Sequence, residues 1–288
     1  MNKQLTTADY MQGIGFPQEA IVDLEEAIAI LFASEQLKPL LAEAETRFYE
    51  RGDFQATLQE IADLSGLRRE RVDMAFLVSL LPRMMADYRA RGISEEIFWN
   101  TAHDLTCKLM ECRKNRGVWG IFVTFWYPGF YRLERFALGR LQYERRKFPY
   151  EGVEGLEKGS VVYNCHIPSS GPLTPEDVED SVRRAKEFYA ADQNDAPFAV
   201  FCSSWLLYRP HVELFPEGSN LRLFAERFTV MENKPDETNH DFWRIFNIPW
   251  DASLDLASLP EATSLQRLFK GFLMEGNTMG SGIGYFLA

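Results

Sequence analysis

Cysteine and histidine are both scarce in this chain, four of each among 288 residues. There is no HExxH and no paired CxxC, so a metal site held by protein ligands is not expected. Cys107 and Cys112 stand five apart in a helical pattern, while Cys165 and Cys202 sit in strand-like runs. That is not the framework of a disulfide-stapled secreted domain, and the expected compartment is a reducing cytoplasm. Long apolar runs are missing too: no stretch approaches about eighteen apolar residues without charge, and the opening MNKQLTTADYMQ lacks an export signal's apolar core and cleavage site. Neither a membrane span nor secretion is expected. Positive charge is in deficit, with 31 Lys and Arg against 42 Asp and Glu for a net charge of −11. Binding nucleic acid through its phosphates needs clustered cations, so nonspecific binding of this kind is not expected. The absence of a Gly-x-Ser-x-Gly elbow counts against a hydrolase.

What is present is ample apolar content, 46% of residues, in two halves of different period. From Pro17 to about Arg116 apolar residues recur at helical spacing: Ile21, Leu24, Ile28 and Leu31; Met74, Leu77, Leu81 and Met84; Phe98, Ala102, Leu105 and Leu109. Gly52-Asp53 and Gly92-Ile-Ser94 read as helix stops followed by new caps, and Pro82 should kink or shift a helix. After Gly117 the runs become aromatic and β-branched: WGIFVTFWY, RLQYERRKF, SVVYNCHI, FAVFCSSW and TMGSGIGYFLA. Short helical segments near 176–190, 219–228 and 260–275 interleave with them. The expected architecture is α+β, with an all-helical domain over residues 1–118 packed on a mixed-sheet α/β domain over 119–288.

Residues 58–73, LQEIADLSGLRRERVD, have helix-turn-helix spacing: Ala62, Gly66 and Val72, with Arg68, Arg69 and Arg71 opening the second helix. Residues 1–116 carry 14 Lys and Arg against 19 Asp and Glu, a net charge of −5, and Glu60, Asp63, Glu70 and Asp73 surround the arginines. An αα corner in a helical bundle has the same packing needs, and the charge favours it over a DNA reader.

In NCHIPSSGPLTPEDVEDSVRRA, residues 164–185, a strand runs into a glycine turn and then a helix. Val162, Asn164 and His166 share one strand face. Thr174 caps the helix, Pro175 takes its first position and Asp177 stands three residues beyond the cap. Amides of the turn and of the first helical turn are placed to meet an anion at the strand's carboxyl end. Glu176 and Asp177 complement the same helix dipole without a ligand. Gly280-Ser-Gly-Ile-Gly284 is followed by too few residues to feed a helix, and reads as a terminal strand approached closely by a neighbour.

The order of these elements resembles the GNAT acyltransferase fold. On LGRLQYERRKF (138–148), HIPSSGPL (166–173), GSNLRLFAERF (218–228) and the glycine-rich end, the whole chain is similar to bacterial acyltransferase-like proteins with a helical N-terminal domain and a divergent GNAT-like C-terminal domain. The resemblance implies binding of acyl-coenzyme A, with the pyrophosphate on Ser169, Ser170, Gly171 and Leu173 beside the Thr174 cap. The family's usual glycine signature is absent at that turn, where one glycine stands between Ser170 and Pro172.

The resemblance also implies direct acyl transfer to an amine, carried by a small molecule or a peptide, with no covalent intermediate. His166 is the first candidate for general base, Glu144 the alternative base and Tyr208 the candidate acid. A Cys202 or Ser203 nucleophile served by His211 or His166 is the other chemistry the sequence raises. The competing class is a noncatalytic protein, either a DNA-binding regulator using residues 58–73 or a degenerate GNAT-like domain serving as a ligand sensor.

Overall fold

The computed structural model describes residues 5–192 and 197–288, and the chain divides into two units, Met1–Ala137 and Leu138–Ala288. Among the described residues no helix is long and apolar enough to cross a membrane.

The first unit is built from α1 (Thr7–Gly13), α2 (Gln18–Ala33), α3 (Lys38–Tyr49), α4 (Gln55–Ser65), α5 (Arg69–Ser79), α6 (Leu81–Ala90), α7 (Glu95–Ala102), α8 (Asp104–Arg116) and the single turn α9 (Pro128–Tyr131). Its punctuation follows the sequence. Pro82 falls in the first turn of α6, where its missing N–H is harmless, and Ser94 caps α7 through the Ile97 amide. The segment 58–73 does form two helices joined through Gly66, with Val72 wholly buried between them. Its arginines are engaged inside the unit. Arg71 meets the Asp23 and Glu26 carboxylates at 2.8 and 2.9 Å, Arg69 is held by Asp73, Gln55 and Gln59, and Arg68 lies 3.5 Å from Glu70. Guanidiniums neutralised by carboxylates have little to offer a phosphate backbone, which supports the αα corner.

The expected boundary at residue 118 and the observed division after Ala137 differ for a physical reason. WGIFVTFWY forms no strand; it winds through a 3₁₀ turn at Thr124–Trp126 into α9. Its polar atoms are satisfied by the helices. The Ile121 amide donates to the Glu70 carbonyl (2.9 Å), Thr124 bonds buried Asp73, the Tyr127 hydroxyl donates to Asp104 (2.8 Å) and the Tyr131 hydroxyl to the Leu77 carbonyl (2.7 Å). Aromatic bulk at these positions therefore completes the helical core.

β1 (Arg135–Leu138) crosses the division, and the second unit continues with β2 (Leu141–Lys147), β3 (Val161–His166), α10 (Pro175–Phe188), β4 (Ala199–Ser204), α11 (Arg209–Leu214), α12 (Asn220–Ala225), β5 (Thr229–Pro235), α13 (Trp243–Phe246), α14 (Ser264–Met274) and β6 (Gly280–Leu287). The sheet order is β1-β2-β3-β4-β6-β5, mixed because β3 and β4 run parallel while β2/β3, β4/β6 and β5/β6 are antiparallel. α10 lays Val178, Val182, Ala185 and Tyr189 on the sheet, all buried. Its Ser181 hydroxyl donates to the Leu138 carbonyl and accepts from the Leu141 amide, pinning the helix to the start of β2.

The glycine-rich end is strand β6, as its sequence suggests. A Cβ on Gly282 would lie 2.2 Å from the Leu207 carbonyl oxygen, and one on Gly280 would lie 2.6 Å from the Lys234 oxygen and 2.7 Å from the Tyr208 ring. The approaches to the Leu207 and Lys234 oxygens are to backbone and cannot relax by rotating a side chain. Gly282→Ala is therefore expected to destabilise the protein by about 2 kcal/mol or more, read by urea denaturation, whereas a change below about 0.5 kcal/mol would contradict the close approach.

Candidate active site

Alternation along β3 decides what each face can do. On the face under α10 lie Tyr163 and Cys165, with Tyr143 from β2. Tyr163 stacks against Tyr189 and Phe198 at centroid separations of 4.4 and 4.3 Å, and the Tyr189 hydroxyl donates to the Tyr143 carbonyl at 3.3 Å. On the opposite face the antiparallel register sets Gln142 against His166 and Glu144 against Asn164. That register carries Glu144 diagonally onto His166 at the carboxyl end of β3.

The imidazole Nε2 stands 3.3 Å from Glu144 Oε2 and 3.2 Å from Asn164 Nδ2. Both contacts use one ring atom, so they belong to two forms of the ring: with Nε2 bare it accepts from the Asn164 amide, and with a hydrogen on Nε2, as in one neutral tautomer or the imidazolium, it donates to the carboxylate. Arg146 holds the other carboxylate oxygen at 3.1 Å. The side chains of Glu144 and His166 are about 15% exposed, enclosed yet reachable, while Asn164 is buried with an oxygen that finds no hydrogen-bond partner among the described residues. A ring that can take a proton, beside a carboxylate that stabilises the resulting charge, is suited to general base work.

The turn beyond β3 is exposed from Ser169 to Pro172, and Gly171 adopts φ +118°, a conformation that favours glycine. Arg140 clamps it from one side, donating to the carbonyls of Gly171 and Pro172 at 2.8 Å each. In a trans peptide the carbonyl and the following N–H point opposite ways, so the Leu173 N–H faces away from Arg140. Among the described residues the amides of Ser170, Gly171 and Leu173 donate to no protein atom. Thr174 caps α10 as its spacing suggests, accepting from the Asp177 amide at 3.2 Å and donating to the Asp177 carboxylate at 2.6 Å, which draws that acid into the cap.

β3 and β4 pair in parallel only at Tyr163↔Val200 and Asn164↔Phe201, although β3 continues to His166 and β4 to Ser204. The strand ends beyond are not zipped to each other. On the α10 side the Cys165 thiol is hydrogen-bonded to Cys202, and this contact together with burial pushes it well above its ordinary range. Both thiols are free and buried, and Cys202 meets a cysteine instead of a histidine, so no Cys–His nucleophile pair forms.

His211 lies elsewhere, fully buried in α11 among the rings of Trp205, Tyr208, Phe269 and Phe272. Its Nδ1 bonds the Trp205 carbonyl at 2.8 Å, while its Nε2 has no hydrogen-bond partner among the described residues. Tyr208 belongs to this aromatic cluster, its ring 4.8 Å from that of His211 and pressed over Gly280. The fold thus brings Glu144 and His166 together, while Tyr208 packs with His211 after β4. Asn164 shares its strand face with His166 by simple alternation. No local pattern points to Arg140, because its partners lie 31 and 32 residues away.

A family profile described as a GNAT-like C-terminal domain matches residues 135–286, and one described as an N-acyltransferase N-terminal domain matches residues 6–133. Among solved structures, an acyltransferase in complex with decanoyl-CoA and teicoplanin superposes with a TM-score of 0.77 at 21% identity, covering 98% of this chain and 87% of that one. A mutant acyltransferase in complex with octanoyl-CoA gives 0.78 at 21% identity, covering 98% and 87%. An acyltransferase in complex with decanoyl-CoA gives 0.65 at 19% identity, covering 98% and 99%. At these identities the likeness is one of fold. No curated protein matches the chain.

Burial holds His211 down to about 4, against an ordinary value near 6.5. The folded ring therefore stays neutral while an unfolded ring takes a proton below pH 6.5, so this residue costs stability progressively as pH falls from 6.5 to 4. The ceiling on that loss is about 3 kcal/mol. His211→Asn keeps a donor toward the Trp205 carbonyl and removes the titration. The stability curve of this variant, from denaturant melts across that window, should fall less steeply than that of the parent; parallel curves would contradict the assignment.

Proposed function

The chain belongs to the GNAT-like C-terminal domain family, here joined to an N-acyltransferase N-terminal domain, and from that premise we propose that it transfers an acyl group from acyl-coenzyme A directly to an amine. The observation that carries the reading is the junction at the carboxyl end of β3. There, strand ends that are not paired to each other, an exposed turn with undonated amides and the start of α10 meet the Glu144–His166 pair. Such a junction suits a pyrophosphate-bearing substrate, because backbone N–H groups and the helix dipole favour negative charge without bringing in a cation. The residues assigned to it are Ser169, Ser170, Gly171, Leu173 and Thr174. Related folds solved with decanoyl-CoA and octanoyl-CoA support an acyl-CoA donor.

In the proposed step His166 takes a proton from the attacking amine, and Glu144 stabilises the imidazolium. The nitrogen then bonds to the acyl carbon as the carbon–sulfur bond breaks, and the departing thiolate collects a proton. We assign that proton to the phenol of Tyr208, which follows the carboxyl end of β4. The neighbour solved with teicoplanin, a glycopeptide, supports a peptide-like amine as acceptor.

Decanoyl-CoA titrated into the full chain should raise its melting temperature saturably, since a ligand specific for the folded form stabilises it by mass action. Glu144→Gln and His166→Ala should leave that shift nearly intact while lowering CoA release with amine acceptors by about 10²-fold or more. Absence of a shift at millimolar decanoyl- or acetyl-CoA contradicts donor binding. Unchanged turnover in both variants contradicts the assigned base.

A further inference from the structure

The first unit contains a cavity of about 440 Å³ between the ends of α3 and α6 and the turn after α9, lined by Tyr49, Arg51, Asp87, Arg91, Arg132 and Glu134 among others. Three arginines gather here in a unit whose sequence is net acidic. Arg51 is paired with Glu134. Arg132 spends its Nε and one Nη on the Phe48 carbonyl, at 3.1 and 2.6 Å, and has no carboxylate within ion-pair distance; the Arg91 side chain has no partner among the described residues. Burial, with the Arg51 guanidinium beside it, holds Arg132 below the usual guanidinium range. Cations brought together with too few anions favour an incoming negative charge.

Tyr49 forms one wall under the Arg83 guanidinium, which stands 3.6 Å from its ring centroid, and its hydroxyl is shut away from water with no hydrogen-bond partner among the described residues. Asp87 is the only carboxylate of the lining without an ion pair, so the lining keeps a net positive charge.

We propose that this cavity binds a small molecule through an oxyanion, carboxylate or phosphate, with Arg91 and the uncommitted Nη of Arg132 as its donors. Guanidinium N–H pairs match both anions in geometry, and charge-assisted hydrogen bonds of this kind are the strong ones. Every lining residue lies in the first unit.

Inorganic phosphate and sodium acetate are titrated separately into the full chain by calorimetry and thermal shift, with ionic strength held constant by chloride so that screening does not vary. At least one should bind saturably, and the better probe identifies the oxyanion. Arg91→Gln should weaken that probe about tenfold, while Asp87→Asn, which removes the opposing charge, should tighten it severalfold. Both positions lie near the exposed end of α6 and make no side-chain ion pair, so neither change threatens the fold. Failure of both probes to bind, equal affinity in the parent and Arg91→Gln, or weaker binding in Asp87→Asn would each overturn an anion site.

Discussion

Everything at the candidate active site depends on the two-residue period of β3. Because successive side chains leave a strand on opposite sides, one face can be given to packing and the other to chemistry without conflict. Tyr163 and Cys165 go to the aromatic layer under α10, and the same strand turns Asn164 and His166 the other way. A slip of one residue between β2 and β3 would exchange the faces, burying the imidazole beneath α10 and dissolving its contact with Glu144. The register is held by buried Tyr143 on β2 and by Ser181 on α10, which bonds both the Leu138 carbonyl and the Leu141 amide.

The turn after β3 combines three simple requirements. Gly171 supplies a backbone angle that other residues resist, Pro175 and Thr174 start α10, and Arg140 orients two carbonyls from outside. Once those carbonyls are committed, the Leu173 N–H points the other way, and among the described residues neither the Ser170 nor the Gly171 amide donates to a protein atom. An anion site built on amides suits an acidic chain, because it needs no concentration of lysine or arginine. The helical unit follows a different logic: Arg69 and Arg71 neutralise carboxylates on α2 and α5, whereas Arg91 and Arg132, beside the cavity at the end of α6, make no ion pair among the described residues.

Sequence reading succeeded where local chemistry and tertiary demand agreed. Thr174-Pro175 marks a helix start in any context, β3 alternates along its whole length, and the glycines of β6 lie against backbone, where a Cβ has no room. It failed where polarity or aromaticity has two readings. β5 went unpredicted because it is an edge strand, largely exposed and bonded only to β6, so it lacks the apolar alternation of its neighbours. WGIFVTFWY has the composition of a strand but fills a helical core, since Thr124 and Tyr127 find hydrogen-bond partners on helices elsewhere in the sequence. That displaced the division of the chain from residue 118 to Ala137. Glu144 and His166 were each visible as candidates, but their contact rests on cross-strand register, which no single segment encodes.

The central claim is that an acyl-CoA donor seats on the amides that follow β3. Hydrogen–deuterium exchange of the full chain, with and without decanoyl-CoA at saturating concentration, tests it most directly. The account predicts that exchange slows selectively in the peptides covering residues 166–177. Binding accompanied by protection elsewhere, with these amides exchanging at their free rate, would contradict it.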